Sequence, residues 1–567
     1  MARPKLVALS LLAAALVVAS LAPAGAQTDG GGVQVSTRGV GTPPPAAGMG
    51  TKAALANPKC TADSIQGWGS FPMVTTTGGP YCVAPEPKSN GGATSRGVTG
   101  STIKVVVVLP YPVSNGTGAT NDTGSINRAT GKPPTVKAVI LDTWAALSHV
   151  YETWGRKVEF TFITSSGLDE TAQRADVVKV EQDKPMFVIN TDARGGGVLA
   201  TTLAKDKYVV YSYSTTPEQA AALAPYMWGL FNSEANLTNA AEFLGKQVVG
   251  GKAEFAGDES MHSQPRKFGL VYADGSNLAA FNATFKRYHG TLATPALGYT
   301  ANGSPLGDPT TSSEEAPTII TKLEAAGVTS VILFTDIAMT GALTTAATKQ
   351  DYRPEWIITG AQYQDVTILA RNYDQEQWAH AFGIANLPPA IKTSGSTGAS
   401  ALADWYWGPT QGSISSVPSS MVAWLANAIM YAGPTLTPEN VQRGMFAVPG
   451  RGGYAWNDAA SNQTSFGRTT GLAQPSYLQG GVDYAPIWYD AETVGPSNGL
   501  YSVAKGVNWY LDGGKRYIAG TWPTKKFNFF QRQGAVYEVQ VNPTIAGTPV
   551  PCTGCPSTGG QGTPSNA

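Results

Sequence analysis

From position 97 onward, short apolar runs alternate with amphipathic stretches. Residues 103–109 read IKVVVVL, a continuous β-branched run ending at Pro110, as expected of a strand covered on both faces. Asp169 then stands where it can cap a helix with Ala172, Ala175 and Val178 on one face, leading into a buried strand over 186–190. Further strands are expected over 208–213, 267–272, 330–335 and 355–360. After the second of these, Leu278, Phe281, Phe285 and Tyr288 keep helical spacing, and Asp336 is placed to cap the helix after 330–335. Residues 421–431 read as a helix ended by Gly433-Pro434, and Thr437-Pro438-Glu439 opens another as N-cap, first-turn proline and acidic residue. Strands alternating with helices predict parallel α/β sheets with helices on both faces, and two such sets, about 100–228 and 265–385, predict two lobes.

The ends have a different texture. Arg3 and Lys5 precede an apolar run over 6–21 and then Ala24-Gly25-Ala26, which reads as a signal peptide over 1–26. The run is shorter than a bilayer span, and no lipid-accepting cysteine follows it. The protein is therefore expected to be exported, periplasmic or at the cell surface. Residues 27–96 form a Gly/Pro-rich lead with a small cap stapled at Cys60 and Cys82, and 526–567 read as a C-terminal tail. Between them the first lobe is expected over 97–228 with a return over about 390–445, and the second over 229–389 with a return over about 446–525. In an exported chain the four cysteines, Cys60, Cys82, Cys552 and Cys555, are expected in disulfides, and proximity favours Cys60–Cys82 with Cys552–Cys555. No internal repeat is apparent.

Composition narrows the partners. The 567 residues carry 39 basic and 39 acidic side chains, only 14% charged in all, with 65 Gly and 39 Pro. A typical soluble domain has about 25%, so the surface leans on Ser, Thr, Asn and Gly. No whole-chain field exists for nucleic acid or anionic membrane. Catalytic constellations are lacking too. The four histidines, His149, His262, His289 and His380, have no metal spacing, and no His-Glu-x-x-His occurs. Gly495-Pro-Ser497-Asn-Gly499 matches a nucleophile elbow literally, but Pro496 and Asn498 make a turn and no histidine follows position 380. Gly116-Thr-Gly118 begins a dinucleotide fingerprint that Asn121 breaks. No cofactor, metal or catalytic residue is expected.

A collinear set of segments points to a family. GVTGSTIK at 97–104 before the valine run resembles the entry segment of type 1 solute-binding proteins of the branched-chain amino acid (Leu/Ile/Val-binding) ABC transporter family. VVKVEQDKPMFVIN at 177–190, YSYSTTPE at 211–218, VTSVILFTD at 328–336, WIITGAQ at 356–362 and AGPTLTPENVQ at 432–442 resemble the same family in the same order. IWYDAETVGP at 487–496 and GGKRYIAGTWP at 513–523 resemble the ending of a secreted bacterial branch. The resemblance implies a periplasmic-binding-protein type 1 clamshell: two Rossmann-like lobes joined by three hinge crossings. A small ligand would be enclosed in the interlobe cleft, and a membrane ABC permease would be the partner of a monomer.

Ligand-facing candidates follow the strand ends, where open α/β sheets bind. They are Tyr111 after the first strand, Thr191, Asp192 and Arg194 after the second, and Ser212, Ser214 and Thr215 at the third. In the second lobe they are Tyr272, Asp336 and Gln362. By the family pattern Ser214 and Thr215 would hold a ligand carboxylate. The acid that would hold an α-ammonium falls on Gln362, and a neutral amide cannot compensate a buried ammonium. That leaves Asp336 or Asp192 to supply the charge, or Arg194 to clasp an anion instead. Two other classes stay open: an exported hydrolase with an unrecognised site, and a surface sensor or adhesion module supported by Trp405-Tyr-Trp407.

Overall fold

The computed structural model describes residues 47–49, 51–58, 82–111, 135–149, 151–192, 197–213, 215–230, 233–301, 307–393, 405–408, 417–448, 466–467, 475–495, 503–541 and 555–556. The chain divides into two units. Unit 1 comprises Met1–Leu230, Thr393–Pro449 and Asn542–Ala567; unit 2 comprises Phe231–Lys392 and Gly450–Val541. The chain thus changes unit after Leu230, Lys392, Pro449 and Val541, once more often than the three expected crossings, and the last change leads into a segment outside the described residues.

Unit 1 holds five parallel strands: β1 Thr102–Leu109, β2 Lys157–Thr164, β3 Phe187–Asn190, β4 Val209–Ser212 and β5 Met227–Gly229, in the order β2-β1-β3-β4-β5. The period of two assigns each strand side chain to a face. Val106, Val108, Val188 and Val210 pack on Val177, Val180, Leu199 and Leu203 of the helices Glu170–Asp183 and Val198–Lys205. Phe187 and Tyr211 point the other way, onto Trp424 of the helix Val417–Ala432, with ring centroids 6.0 and 4.7 Å apart. Helices therefore cover both faces, as the unbroken valine run requires.

The helix Glu170–Asp183 is capped by Asp169, whose Oδ1 accepts the Ala172 amide at 3.0 Å, but its buried face is not the expected one. Val178 is 54% exposed, while Gln173, Asp176, Val177 and Val180 are buried. Hydrogen bonding reverses the apolar prediction. Gln173 donates to the Leu168 carbonyl and accepts the Leu199 amide, and Asp176 accepts from Ser166 N, Ser166 Oγ and Lys179.

Part of the expected lead belongs to unit 1 itself. Arg156, 4% exposed, donates to the carbonyls of Asn90, Gly92, Thr99 and Pro434, tying residues 90–99 onto the sheet. Gly97 is fixed by geometry: φ is +69°, and a Cβ there would lie 2.3 Å from the Met186 backbone nitrogen. Trp407 packs inside unit 1 and donates from Nε1 to the Asp142 carbonyl, so this aromatic belongs to the core of unit 1. Cys82 and Cys555 are buried and disulfide-bonded; Cys60 and Cys552 lie outside the described residues.

Unit 2 has β6 Phe268–Ala273, β7 Leu297–Tyr299, β8 Ser330–Phe334, β9 Glu355–Ile358, β10 Ala381–Ala385 and all but the last residue of β11 Ala390–Thr393. Later in the chain come β12 Asp483–Gly495, β13 Ala504–Tyr510, β14 Tyr517–Ile518 and β15 Glu538–Val541. The main sheet runs β13-β12-β10-β9-β8-β6-β7, parallel from β7 to β10 and antiparallel from β10 to β13. Its parallel part repeats the strand order of unit 1. Phe281 and Phe285 of the helix Ala279–Arg287 enter the core as their spacing predicted. Residues 526–541, expected in the tail, also contribute: Phe529 is buried in this core, Phe527 and Phe530 pack on it, and β15 pairs with β11.

Candidate functional site

In an order of this kind the chain's path reverses beside the first strand of each unit, and the crevice at the carboxyl ends there is where such sheets bind. In unit 1 that switch lies between β1 and β3; in unit 2 it lies between β6 and β8. Both positions are followed by the same two residues. β3 ends at Asn190 and continues as Thr191-Asp192, and β8 ends at Phe334 and continues as Thr335-Asp336. Each aspartate is two residues past its strand, and both are buried, at 6% and 2% exposure.

The strand ends of unit 1 are laced together. Tyr111 N donates to Asp192 Oδ2 at 3.0 Å across the switch, while Thr191 Oγ1 donates to the Val108 carbonyl at 2.8 Å. Asn190 Nδ2 donates to Ser212 Oγ at 3.2 Å, and Thr215 Oγ1 reaches the carbonyls of Ser212 and Trp228. Five expected residues, Tyr111, Thr191, Asp192, Ser212 and Thr215, are thereby brought to one rim. Arg194 and Ser214 fall outside the described residues.

In unit 2, Asp336 caps the helix Ile337–Lys349: its Oδ1 accepts the Met339 amide at 2.8 Å. Tyr299 Oη donates to Asp336 Oδ2 at 3.0 Å and accepts the Asp336 amide at 2.8 Å. Burial raises the Asp336 carboxyl above its ordinary range, and burial with the facing carboxylate raises the Tyr299 hydroxyl. Tyr272 lies half-buried near the end of β6 against the core. Gln362 is exposed, in left-handed backbone at φ 46°. The amide that does turn inward is Gln364, fully buried. Its Nε2 donates to Thr335 Oγ1 at 2.8 Å and to the Thr335 carbonyl at 3.0 Å, and its Oε1 accepts the Thr359 amide at 3.4 Å. Sequence reasoning missed Tyr299 and Gln364. The Thr-Asp pair after each third strand was the signal that could have directed attention to their surroundings.

Two concavities lie elsewhere in unit 2 and contain none of the expected residues. A groove of about 610 Å³ is lined by residues including Arg371, Gln375, Tyr489 and Lys505. A cavity of about 200 Å³ is lined by residues including Phe255, Arg266, Phe382 and Phe529. Among the described residues no three His, Cys, Asp or Glu side chains gather as a metal site, and no helix is long and apolar enough to cross a membrane.

No family model and no curated protein matches the chain. Among solved structures it is similar to an ABC-transporter solute-binding protein from R. palustris in complex with 4-hydroxybenzoate, at 14% identity over 74% of this chain and 99% of that one, with a TM-score of 0.44. It is also similar to a leucine-, isoleucine-, valine-, threonine- and alanine-binding protein from Brucella ovis, at 10% identity, 75% and 98% coverage and TM-score 0.47. A third is a leucine-binding protein from Thermotoga maritima, at 11% identity, 71% and 98% coverage and TM-score 0.42. These values, all below 0.5, leave the functional reading to rest on the residues of this chain.

Proposed function

We propose that this protein captures a small polar or amphipathic molecule at the carboxyl ends of its parallel strands and presents it to an uptake system of the ABC type, without chemical turnover. The observation that carries the reading is the duplicated one: a Thr-Asp pair directly after the third strand of each sheet, its aspartate buried in both, at the switch where such folds bind. Around it stand hydroxyls and amides rather than a nucleophile with its base, which suits recognition. The resemblance of the collinear segments to the branched-chain amino acid binding family supports the same reading, together with export through residues 1–26.

The α-amino acid form of the ligand is the less favoured. Asp336 is already engaged by the Met339 amide and Tyr299, and Gln362 carries no charge. A thermal-shift panel on the mature chain tests the proposal, with amino acids, amides, short peptides and organic acids, L-leucine and 4-hydroxybenzoate among them. A binder at 100 times its Kd adds about 2.7 kcal/mol. A shift with at least one class is expected; a flat panel overturns the reading.

A further inference from the structure

We propose that Gln364, a residue no motif points to, is the positioning residue of the unit 2 rim: it sets the spacing of the β8 and β9 ends on which capture depends. This rests on the function proposed above. The turn that holds it begins at Gly360 and carries two consecutive left-handed residues, Gln362 and Tyr363, at φ 46° and 66°. That excursion places Gln362 in solvent and turns Gln364 inward. The Gln364 amide bridges two strand ends. Its donors take the Thr335 carbonyl and hydroxyl beyond β8, and its acceptor takes the Thr359 backbone amide beyond β9.

The bridge continues on both sides. Thr335 Oγ1 lies 2.8 Å from Thr340 Oγ1 in the first turn of the helix that Asp336 caps, and Thr359 Oγ1 donates back to the Leu333 carbonyl at 2.5 Å. Asn236 Nδ2 fixes the Thr359 carbonyl at 2.6 Å. One neutral amide therefore fixes the approach to Asp336 from the β9 side. A carboxylate in its place would meet the Thr335 carbonyl with an acceptor; an apolar side chain would leave the Thr335 carbonyl without this donor.

The next residue in the chain has a separate task. Asp365 Oδ2 accepts the Leu387 amide at 2.7 Å, and Tyr510 Oη donates to the Pro388 carbonyl at 3.0 Å. Asp365 thus anchors the segment that leaves β10, and the two neighbours hold different parts of unit 2. This separates positioning from simple turn stability.

The experiment compares Gln364→Met with Asp365→Ala in the full mature chain by hydrogen exchange and by titration with L-leucine, L-glutamine and 4-hydroxybenzoate. Q364M should raise exchange about tenfold in peptides covering 333–341 and 357–363 and leave 385–390 protected. D365A should do the reverse. Any of these probes that binds the wild type should bind Q364M at least tenfold more weakly, and D365A by much less. Coincident exchange patterns, unchanged exchange in Q364M, or equal weakening by both variants overturns the proposal. If exchange changes as expected while no probe binds the wild type, the positioning role stands and the result counts against the capture reading instead.

Discussion

The two sheets share a strand order and a Thr-Asp pair, yet they secure the pair differently. In unit 1, Asp192 holds a backbone amide of the neighbouring loop, Tyr111 N, and the helix that follows begins at Gly197 without a side-chain cap. In unit 2, Asp336 caps its helix and is held by Tyr299, inside a network of Thr335, Thr340, Thr359 and Gln364. Unit 2 also carries the antiparallel extension β12–β13, anchored where Arg516 meets Asp483 with both side chains fully buried. The same topology thus supports one rim whose side chains reach mostly to main-chain groups, Asn190 to Ser212 excepted, and another whose side chains are also linked to one another in a network. Substitutions should discriminate between them.

The largest effect is expected at that anchor. Arg516→Ala leaves the Asp483 charge buried without its guanidinium and should cost about 3–5 kcal/mol, read by denaturant unfolding. Exchange should rise in β12 and β13 while β1 and β3 stay protected; equal loss in both units would erase the distinction drawn here. Asp365 comes next. Burial pushes its carboxyl up to about 6, partly opposed by the Leu387 amide. Because the folded pKa is the higher one, its contribution is greatest below the unfolded carboxyl range and is lost as pH rises through about 6. Between pH 4 and 7 the wild type should lose about 2 kcal/mol relative to Asp365→Asn. A parallel pair of stability curves over that range contradicts the assignment.

Asp336→Ala removes a cap and leaves Tyr299 without its acceptor, for about 1–3 kcal/mol by thermal unfolding. Tyr299→Phe should then cost less in that background than in the wild type, since the carboxylate contact is already gone and only the bond from the residue 336 amide remains to be lost. The smallest effects test the helix Glu170–Asp183. Val177→Ala should cost about 1–2 kcal/mol and Val178→Ala no more than about 0.5 kcal/mol, whereas the apolar pattern alone predicts the reverse order.

That reversal shows where the sequence is legible. β1 could be read because four consecutive valines need cover on both faces, and the Asp169, Asp336 and Thr437 caps because their chemistry is local. The helix face could not, since Gln173 and Asp176 are buried by partners at Leu199 and Ser166. β12 was hidden by Pro486, which sits inside it opposite Ile384 and reads as a strand breaker. The rim of unit 1 was anticipated from strand ends. Gln364 was not, because its partners lie 29 and 5 residues away and no periodicity marks it.

Hydrogen exchange on the mature chain, with and without the panel compound giving the largest thermal shift, tests the central claim most directly. Bound protein should gain protection at 109–111, 190–192 and 212–215 in unit 1 and at 335–340 and 359–364 in unit 2. Protection confined to the groove lined by Arg371 and Tyr489, with both rims unchanged, would contradict capture at the strand ends.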